Sequence, residues 1–220
     1  MSHIIINMGC HRRVRFKIVF CFAALLTLLL SLHLAIPTSG QSKSRLQQYN
    51  LDPARELELI KKILIFERNW KEKTEDSLVI GILYQKSYQI SAWVAQDWLA
   101  MEKETEEGIY LGSVKLILKP LALDEEQPVE SLLGSSGVSF AYLTPLELQK
   151  QPRLLLSILK TCEKLRVGTF TAVPEYLESG AAVAFNLREE KPQIIINLDA
   201  ARSQGMNFSS QFLKLTTVKK

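Results

Sequence analysis

The chain has 220 residues, with 27 basic and 23 acidic side chains and a formal net charge of +4. Four of the basic residues, and none of the acidic ones, lie in residues 1–40, so the rest of the chain carries 27 − 4 = 23 basic against 23 acidic side chains. Since contacts of Lys and Arg with phosphates dominate nucleic-acid affinity, this balance gives no support for a nucleic-acid partner.

The N-terminal residues predict an export signal. A basic stretch, residues 11–17, precedes an apolar run over residues 18–36, and small residues then favour cleavage before Gln41. The run approaches the ~20 residues that span a bilayer, so an uncleaved membrane anchor remains the alternative. Translation could start at Met1 or Met8. The predicted organisation is a signal peptide at residues 1–40, a polar linker at 41–51 and one domain at 52–218.

Histidine and cysteine are almost confined to the predicted signal. All three histidines and two of the three cysteines lie there, which leaves only Cys162 in the rest of the chain. This distribution excludes Ser–His and Cys–His catalytic pairs, a His-ligated metal and an internal disulfide from the predicted domain. We expect Cys162 to be a buried, inert thiol. No catalytic, cofactor-binding or metal-binding residue is predicted.

The first half of the domain predicts two helices around a buried strand. Asp52 and Pro53 have the residue types of an N-cap and a first helical position, and this helix should run to about Arg68. Residues 78–84 are apolar at nearly every position, which is typical of a strand buried on both faces. Apolar residues then recur at helical spacing from Ile90 to Met101, and Gly108 should end this second helix.

The second half continues the alternation. Further strands are predicted at residues 114–118, 138–142 and 167–173, with Pro120 ending the first of them. Helices are predicted at 125–133, from Thr144 to about Leu165 with a break at Pro152, and as a single turn at 175–178. Two apolar strands around a polar turn and two short helices complete the chain. This order predicts an α/β fold, a three-layer flavodoxin-like or Rossmann-like sandwich with a mainly parallel sheet and a C-terminal antiparallel hairpin.

The C-terminal block resembles the end of the YfiR-like family. The resemblance rests on a set of small, apolar and capping residues: Gly180, Ala182, Phe185, Ile196, Asn197, Leu198, Ala200, Ala201, Gly205, Phe208, Ser209, Ser210, Leu213 and Leu215. We expect these residues to act structurally. In particular, Ser209 should cap the last helix, Asn197 should fix the turn after its strand, and Leu213 and Leu215 should close one face.

The resemblance implies a function as well as a fold. The best-known YfiR-like proteins restrain a membrane-bound diguanylate cyclase from the periplasm. The chain is therefore expected to be a periplasmic, non-enzymatic regulator of an inner-membrane signalling protein. A periplasmic small-molecule binding protein, with its ligand at the carboxyl ends of the strands, is the alternative. An enzyme that uses carboxylates alone is a weaker third reading, and homo-oligomerisation stays open.

Two further patterns bear on ligands and partners. The segment after the first strand contains no glycine, and neither the first nor the third strand ends in a carboxylate, so neither a phosphate loop nor a phospho-receiver site is predicted, and no cofactor is expected. Trp93 and Trp98 are five residues apart on one helix and cannot share a face. Trp98 belongs to the apolar stripe, whereas Trp93 is a candidate for a partner surface.

Overall fold

The computed structural model describes residues 52–74, 76–105, 107–123 and 127–219. The predicted signal peptide and the linker at 41–51 lie outside the described residues. The helices are α1 (Pro53–Phe66), α2 (Gln89–Glu104), α3 (Val129–Gly134), α4 (Leu154–Leu165), α5 (Leu198–Ser203) and α6 (Ser210–Leu213). The strands are β1 (Ser77–Tyr84), β2 (Ile109–Leu111), β3 (Val114–Ala122), β4 (Phe140–Leu143), β5 (Gly168–Thr171), β6 (Val183–Arg188), β7 (Lys191–Asn197) and β8 (Thr217–Lys219).

The eight strands form one sheet in the order β2-β3-β1-β4-β5-β6-β7-β8. The run from β3 to β6 is parallel throughout, whereas β2 and β7 are antiparallel to β3 and β6. Strand β1 lies between β3 and β4, which is the flavodoxin-like order. The predicted fold class, a mainly parallel α/β sheet with a C-terminal antiparallel hairpin, is confirmed.

Two hydrophobic cores cover the two faces of the sheet. On one face, α1 and α2 pack with residues of the C-terminal block around Ile82, Trp98 and Phe140. On the other face, α3 and α4 pack around Leu83 and Leu143. Neighbouring residues of β1 therefore enter different cores, because successive side chains of a strand point to opposite faces. This explains why β1 is apolar at nearly every position.

Asp52 begins α1 as its sequence indicates. Its Oδ1 accepts a hydrogen bond from the Ala54 N–H at 3.3 Å, and Pro53 is the first helical residue. The helix ends at Phe66, two residues before the predicted end. Residues Trp70–Lys73 form a short 3₁₀ turn that leads into β1.

The prediction that Pro120 ends its strand is wrong. Strand β3 continues to Ala122, and Pro120 lies opposite Ile82 of β1. The Leu118 N–H points away from β1 and donates to Glu102 Oε1 at 3.0 Å. The Pro120 nitrogen, two residues further on, also points away from β1. Strand β2 does not extend along this part of β3, so the nitrogen faces an unpaired edge of the sheet. A missing N–H there costs no ladder hydrogen bond.

The prediction of a helix from Thr144 is also wrong. Residues 144–147 are not helical, and α4 begins only at Leu154. The Thr144 hydroxyl donates to the Leu83 carbonyl at 2.9 Å, which ties this segment to the end of β1. Strands β2 and β8 were not predicted, because each has only three residues and neither shows a periodic pattern. Within the described ranges, no helix is both long and apolar enough to cross a membrane.

Candidate functional site

The carboxyl ends of the parallel strands are the first place to look for a ligand. In a flavodoxin-like sheet, ligands bind where the strand order reverses, which here is between β1 and β4. A chain of hydrogen bonds crosses this position. The Gln85 N–H donates to Ser91 Oγ at 2.9 Å, and the Ser91 and Thr144 hydroxyl oxygens are 2.6 Å apart. Ser91 and Thr144 are completely buried.

The Gln85 side chain closes the same crevice. Its Oε1 accepts a hydrogen bond from the Glu147 N–H at 2.6 Å, and its Nε2 donates to Gln151 Oε1 at 3.0 Å. Gln85 is only 2% exposed. The polar groups that would meet a ligand here are thus satisfied by the chain itself. The described residues also contain no group of three His, Cys, Asp or Glu side chains that could hold a metal.

Asn197, a residue of the predicted family block, links three segments. Its Oδ1 accepts from the Ala200 N–H at 3.0 Å and caps α5. Its Nδ2 donates to the Leu177 carbonyl at 2.9 Å. Asn197 therefore joins the end of β7 to α5 and to the 3₁₀ turn Pro174–Leu177, which is a structural role.

Gln204 extends this network to the middle of the sheet, although sequence reasoning did not single it out. Its Oε1 accepts from both the N–H and the hydroxyl of Thr169, at 3.0 and 2.8 Å. Its Nε2 donates to the Gly180 carbonyl at 2.8 Å. Gly180 and Gly205 both have positive φ, 109° and 74°, which favours glycine. These contacts fix the loop before β6 against the end of α5.

The last helix has the predicted cap but not the predicted buried face. Ser209 Oγ accepts from the Phe212 N–H at 3.2 Å. The expectation that Leu215 helps to close a face is wrong, because Leu215 is 78% exposed. Helix α6 ends at Leu213, so Leu215 lies in the following turn, and Phe212 takes the buried position with its ring stacked 5.2 Å from Phe66. Leu213 is partly buried.

Loss of the Ser209 cap should have a modest effect. We expect Ser209→Ala to lower the free energy of unfolding by about 0.5–2 kcal/mol, because the Phe212 N–H loses its acceptor. Ser210→Ala is the matched control and should change little, since Ser210 is exposed and its side chain does not form this cap. Chemical denaturation measures both. If Ser209→Ala kept full stability but removed a biological activity, the structural role would be contradicted.

The remaining candidate residues occupy ordinary positions. Trp98 is completely buried and packs 4.5 Å from the Tyr142 ring, as expected for a core residue. Trp93 is half-buried, and its role as a partner contact stays a prediction. Cys162 is completely buried, and burial raises the pKa of its thiol to about 12. A thiol with this pKa is unreactive at neutral pH.

Sequence reasoning missed a buried carboxyl group and a half-buried lysine. Glu56 on α1 is completely buried and accepts a hydrogen bond from the Tyr142 hydroxyl. Burial raises the pKa of this carboxyl to about 8, against the lowering effect of the Tyr142 bond and with a further increase from Asp52. Its place four residues before Ile60, on the apolar stripe, was the available signal.

Lys73 is the second of these residues. Its Nζ donates to the carbonyls of Arg166 and Gln204, at 2.8 and 3.2 Å, and lies 5.0 Å from the centre of the Phe140 ring. Burial lowers its pKa, although Glu67 acts in the opposite direction. Arg166 and Gln204 follow the last residues of α4 and α5, so this ammonium group stabilises two helix C-termini. Lys73 is therefore a structural cation rather than a nucleophile.

An open groove remains on the α4 side of the domain. Its volume is about 480 Å³, and it lies between α4 and the segment from Ser179 to Gln204. The α4 wall contributes Leu156, Lys160 and Glu163, and Leu156 is 47% exposed. Lys160 and Glu163 form no ion pair with the described part of the chain. The α4 wall of the groove thus offers one apolar side chain, one positive charge and one negative charge.

Comparison with known proteins identifies the segment that forms this groove. Residues 130–217 match the family model described as YfiR/HmsC-like. Over these residues the chain is similar to that family. The predicted resemblance is confirmed, and every residue lining the groove falls inside the matched segment. No curated protein matches the chain.

Solved structures agree with the fold. A conserved domain protein from Vibrio cholerae O1 biovar eltor superposes with a TM-score of 0.52 at 16% identity, covering 76% of this chain and 60% of its own. The ABC domain in complex with L-Trp from Streptococcus pneumonia gives a TM-score of 0.52 at 14% identity, covering 76% of this chain and 62% of its own. The chain therefore spans about 60% of the length of these neighbours, and at these identities the likeness concerns the fold.

Proposed function

We propose that this YfiR/HmsC-like protein is an exported regulator without catalytic activity, which binds a signalling protein of the inner membrane from the periplasm. In the best-known case of the family, that partner is a diguanylate cyclase. The observation that supports the proposal most is that the matched segment, residues 130–217, supplies the whole lining of the α4 groove. We assign the groove as the contact site for the partner.

The chemistry of the groove suits reversible protein contact. Leu156 offers an exposed apolar side chain, and Lys160 and Glu163 lie one and two helical turns further along α4. Charged groups at the rim of an interface guide association and select partners rather than provide most of the affinity. The opposite wall is held by the hydrogen bonds of Asn197 and Gln204, so a partner meets a preformed surface.

The absence of turnover is part of the proposal. Glu56 and Cys162 are completely buried titratable groups with a raised pKa. Both are enclosed in the two cores rather than exposed in a cleft. A general acid or base must lie within hydrogen-bond reach of its substrate, and neither of these groups can be reached without opening the fold.

The filled crevice disfavours the small-molecule alternative. A ligand between the carboxyl ends of β1 and β4 would have to replace the hydrogen bonds of Gln85, Ser91 and Thr144. Breaking buried hydrogen bonds leaves polar groups unsatisfied and costs about 1–3 kcal/mol for each group. A ligand at that position would therefore bind only after rearrangement of β1 and the segment after β4.

Co-purification from crosslinked envelopes tests the proposal. The native chain should recover a membrane signalling protein, and Lys160→Glu should reduce this recovery because it reverses the charge of the groove wall. Lys103→Glu, an exposed charge reversal at the end of α2, is the matched control and should recover as much partner as the native chain. Recovery of no membrane protein, together with tight retention of a small metabolite by the purified chain, would favour the ligand-binding alternative.

A further inference from the structure

A second surface of the domain combines exposed apolar side chains with lysines. Ile65 is 65% exposed, Phe66 is 38% exposed and Leu215 is 78% exposed. Phe66 stacks on Phe212, and the Leu215 N–H donates to the Phe212 carbonyl at 2.9 Å, which brings the end of α1 and the turn after α6 together. We call this region, with its surrounding cations, the basic apolar surface.

The cations of this surface lie beside the apolar residues. Lys61 and Lys62 precede Ile65 and Phe66 by four residues, so each pair lies on the same side of α1. Lys71 and Ile65 line one groove of about 570 Å³, which also contains Trp70 and the turn between β2 and β3. Arg68, two residues after Phe66, and Lys214, directly before Leu215, are also exposed.

The charge of the surface is positive after its acidic residues are counted. Lys61 pairs with Glu58 at 2.8 Å, and Glu72 is exposed in the 3₁₀ turn. Lys62 and Lys71 form no ion pair within the described ranges, and the Lys71 ammonium group lies 5.7 Å from the centre of the Trp70 ring. Five cations (Lys61, Lys62, Arg68, Lys71 and Lys214) thus face two carboxylates (Glu58 and Glu72).

We propose that the basic apolar surface binds the headgroup region of a bilayer that contains anionic phospholipids. Attraction of clustered Lys and Arg to anionic lipids and insertion of a few exposed apolar side chains are the two contributions that give reversible membrane binding. Long lysine stems can lie along an apolar surface while the ammonium groups reach the phosphates. Ile65 and Leu215 are the side chains that enter the interface.

The composition of the surface favours lipid over a second protein. Lysine is depleted in the centres of protein interfaces, where Trp, Tyr, Met and Arg are enriched. Four of the five cations here are lysines, and the exposed apolar residues are mainly aliphatic. The surface is also separate from the α4 groove, since α1 and α4 pack on opposite faces of the sheet. Membrane contact by α1 therefore leaves the proposed partner site uncovered.

Hydrogen exchange of the full chain with lipid vesicles tests this inference. Addition of phosphatidylglycerol vesicles should slow amide exchange at residues 62–71 and 212–216 and leave exchange in α4 unchanged. Phosphatidylcholine vesicles should have no such effect, and raised salt should remove it. Exchange is measured separately at each residue. The predicted pattern of protection is therefore the same when the N-terminal apolar run also holds the chain on the vesicle.

Variants separate this surface from general lipid binding. In the double variant Lys62→Glu and Lys71→Glu, the phosphatidylglycerol concentration needed for half-maximal protection should rise at least tenfold. The reason is that each lost cation lowers membrane affinity by about fivefold. Arg153→Glu, an exposed charge reversal directly before α4, is the matched control and should behave as the native chain. Equal protection on α1 and α4, no protection at residues 62–71, or an unchanged response of the double variant would overturn the inference. Melting curves in the absence of lipid confirm that each variant is folded.

Discussion

The stability of the protein should fall as pH rises from about 4.5 to about 8, and Glu56→Gln should remove this part of the pH dependence. Burial raises the pKa of the Glu56 carboxyl from 4.5 to about 8 in the folded chain. Below pH 4.5 the carboxyl is protonated in both states, so it adds no pH dependence. Between the two values only the unfolded chain loses the proton, which favours unfolding. Above about pH 8 both states are ionised and the dependence ends.

The difference between the two proteins is the quantity to measure. The free energy of unfolding of Glu56→Gln, minus that of the native chain, should increase by on the order of a few kcal/mol between pH 4.5 and pH 8. Glu58→Gln is the matched control, because Glu58 is on the same helix and its side chain is 59% exposed. Asp97, whose pKa is also raised, is present in all three proteins and cancels. A difference that stays constant across this range would contradict the buried, protonated Glu56.

Ile196→Ala should produce the largest loss of stability among the C-terminal residues. Ile196 is completely buried in the core that α1 and α2 cover, opposite Val183 of β6. Truncation of a buried Ile to Ala costs about 2–5 kcal/mol, because the apolar contacts are lost and a cavity remains. The melting temperature and the denaturation midpoint should both fall clearly.

A neighbouring isoleucine provides the control for this substitution. Ile194 is two residues earlier on β7, on the same face, and is only partly buried. Ile194→Ala should therefore cost less than Ile196→Ala. Equal losses for the two substitutions would show that β7 is packed differently from the structure described above.

The sequence predicted the elements whose patterns are long and consistent. Strand β1 has eight residues with apolar side chains in both cores, and α4 has a continuous apolar stripe, so both were recognised. The parallel order then follows from the alternation of strands and helices. Strands β2 and β8 were missed because three residues are too few to show a periodic pattern. The predicted end of β3 came too early because Pro120 is tolerated only where no neighbouring strand covers β3, and the sequence does not show which part of a strand is left uncovered.

The polar contacts were much harder to predict than the elements. Glu56, Lys73 and Gln204 are charged or polar residues whose partners lie far away in the sequence, such as Tyr142 for Glu56 and Thr169 for Gln204. A single sequence gives no information about such pairs. The closure of the crevice by the Gln85 side chain could not be predicted either, because its partners Glu147 and Gln151 come close to it only in the folded chain.

The two proposed surfaces fit one arrangement at the membrane. The basic apolar surface at the end of α1 would contact the bilayer, while the α4 groove on the opposite face of the sheet would remain accessible to a membrane-bound partner. The two binding proposals can be tested independently, since the basic apolar surface requires only lipid and the α4 groove requires a protein. Failure of one therefore leaves the other intact.

Site-specific photo-crosslinking in intact cells tests the central claim most directly. A photoreactive residue at position 160, in the α4 groove, should give a crosslink to one membrane signalling protein. The same residue at position 103, at the exposed end of α2, should give none to that protein. Crosslinks from both positions to the same protein, or from neither position, would contradict regulation by contact through the α4 groove.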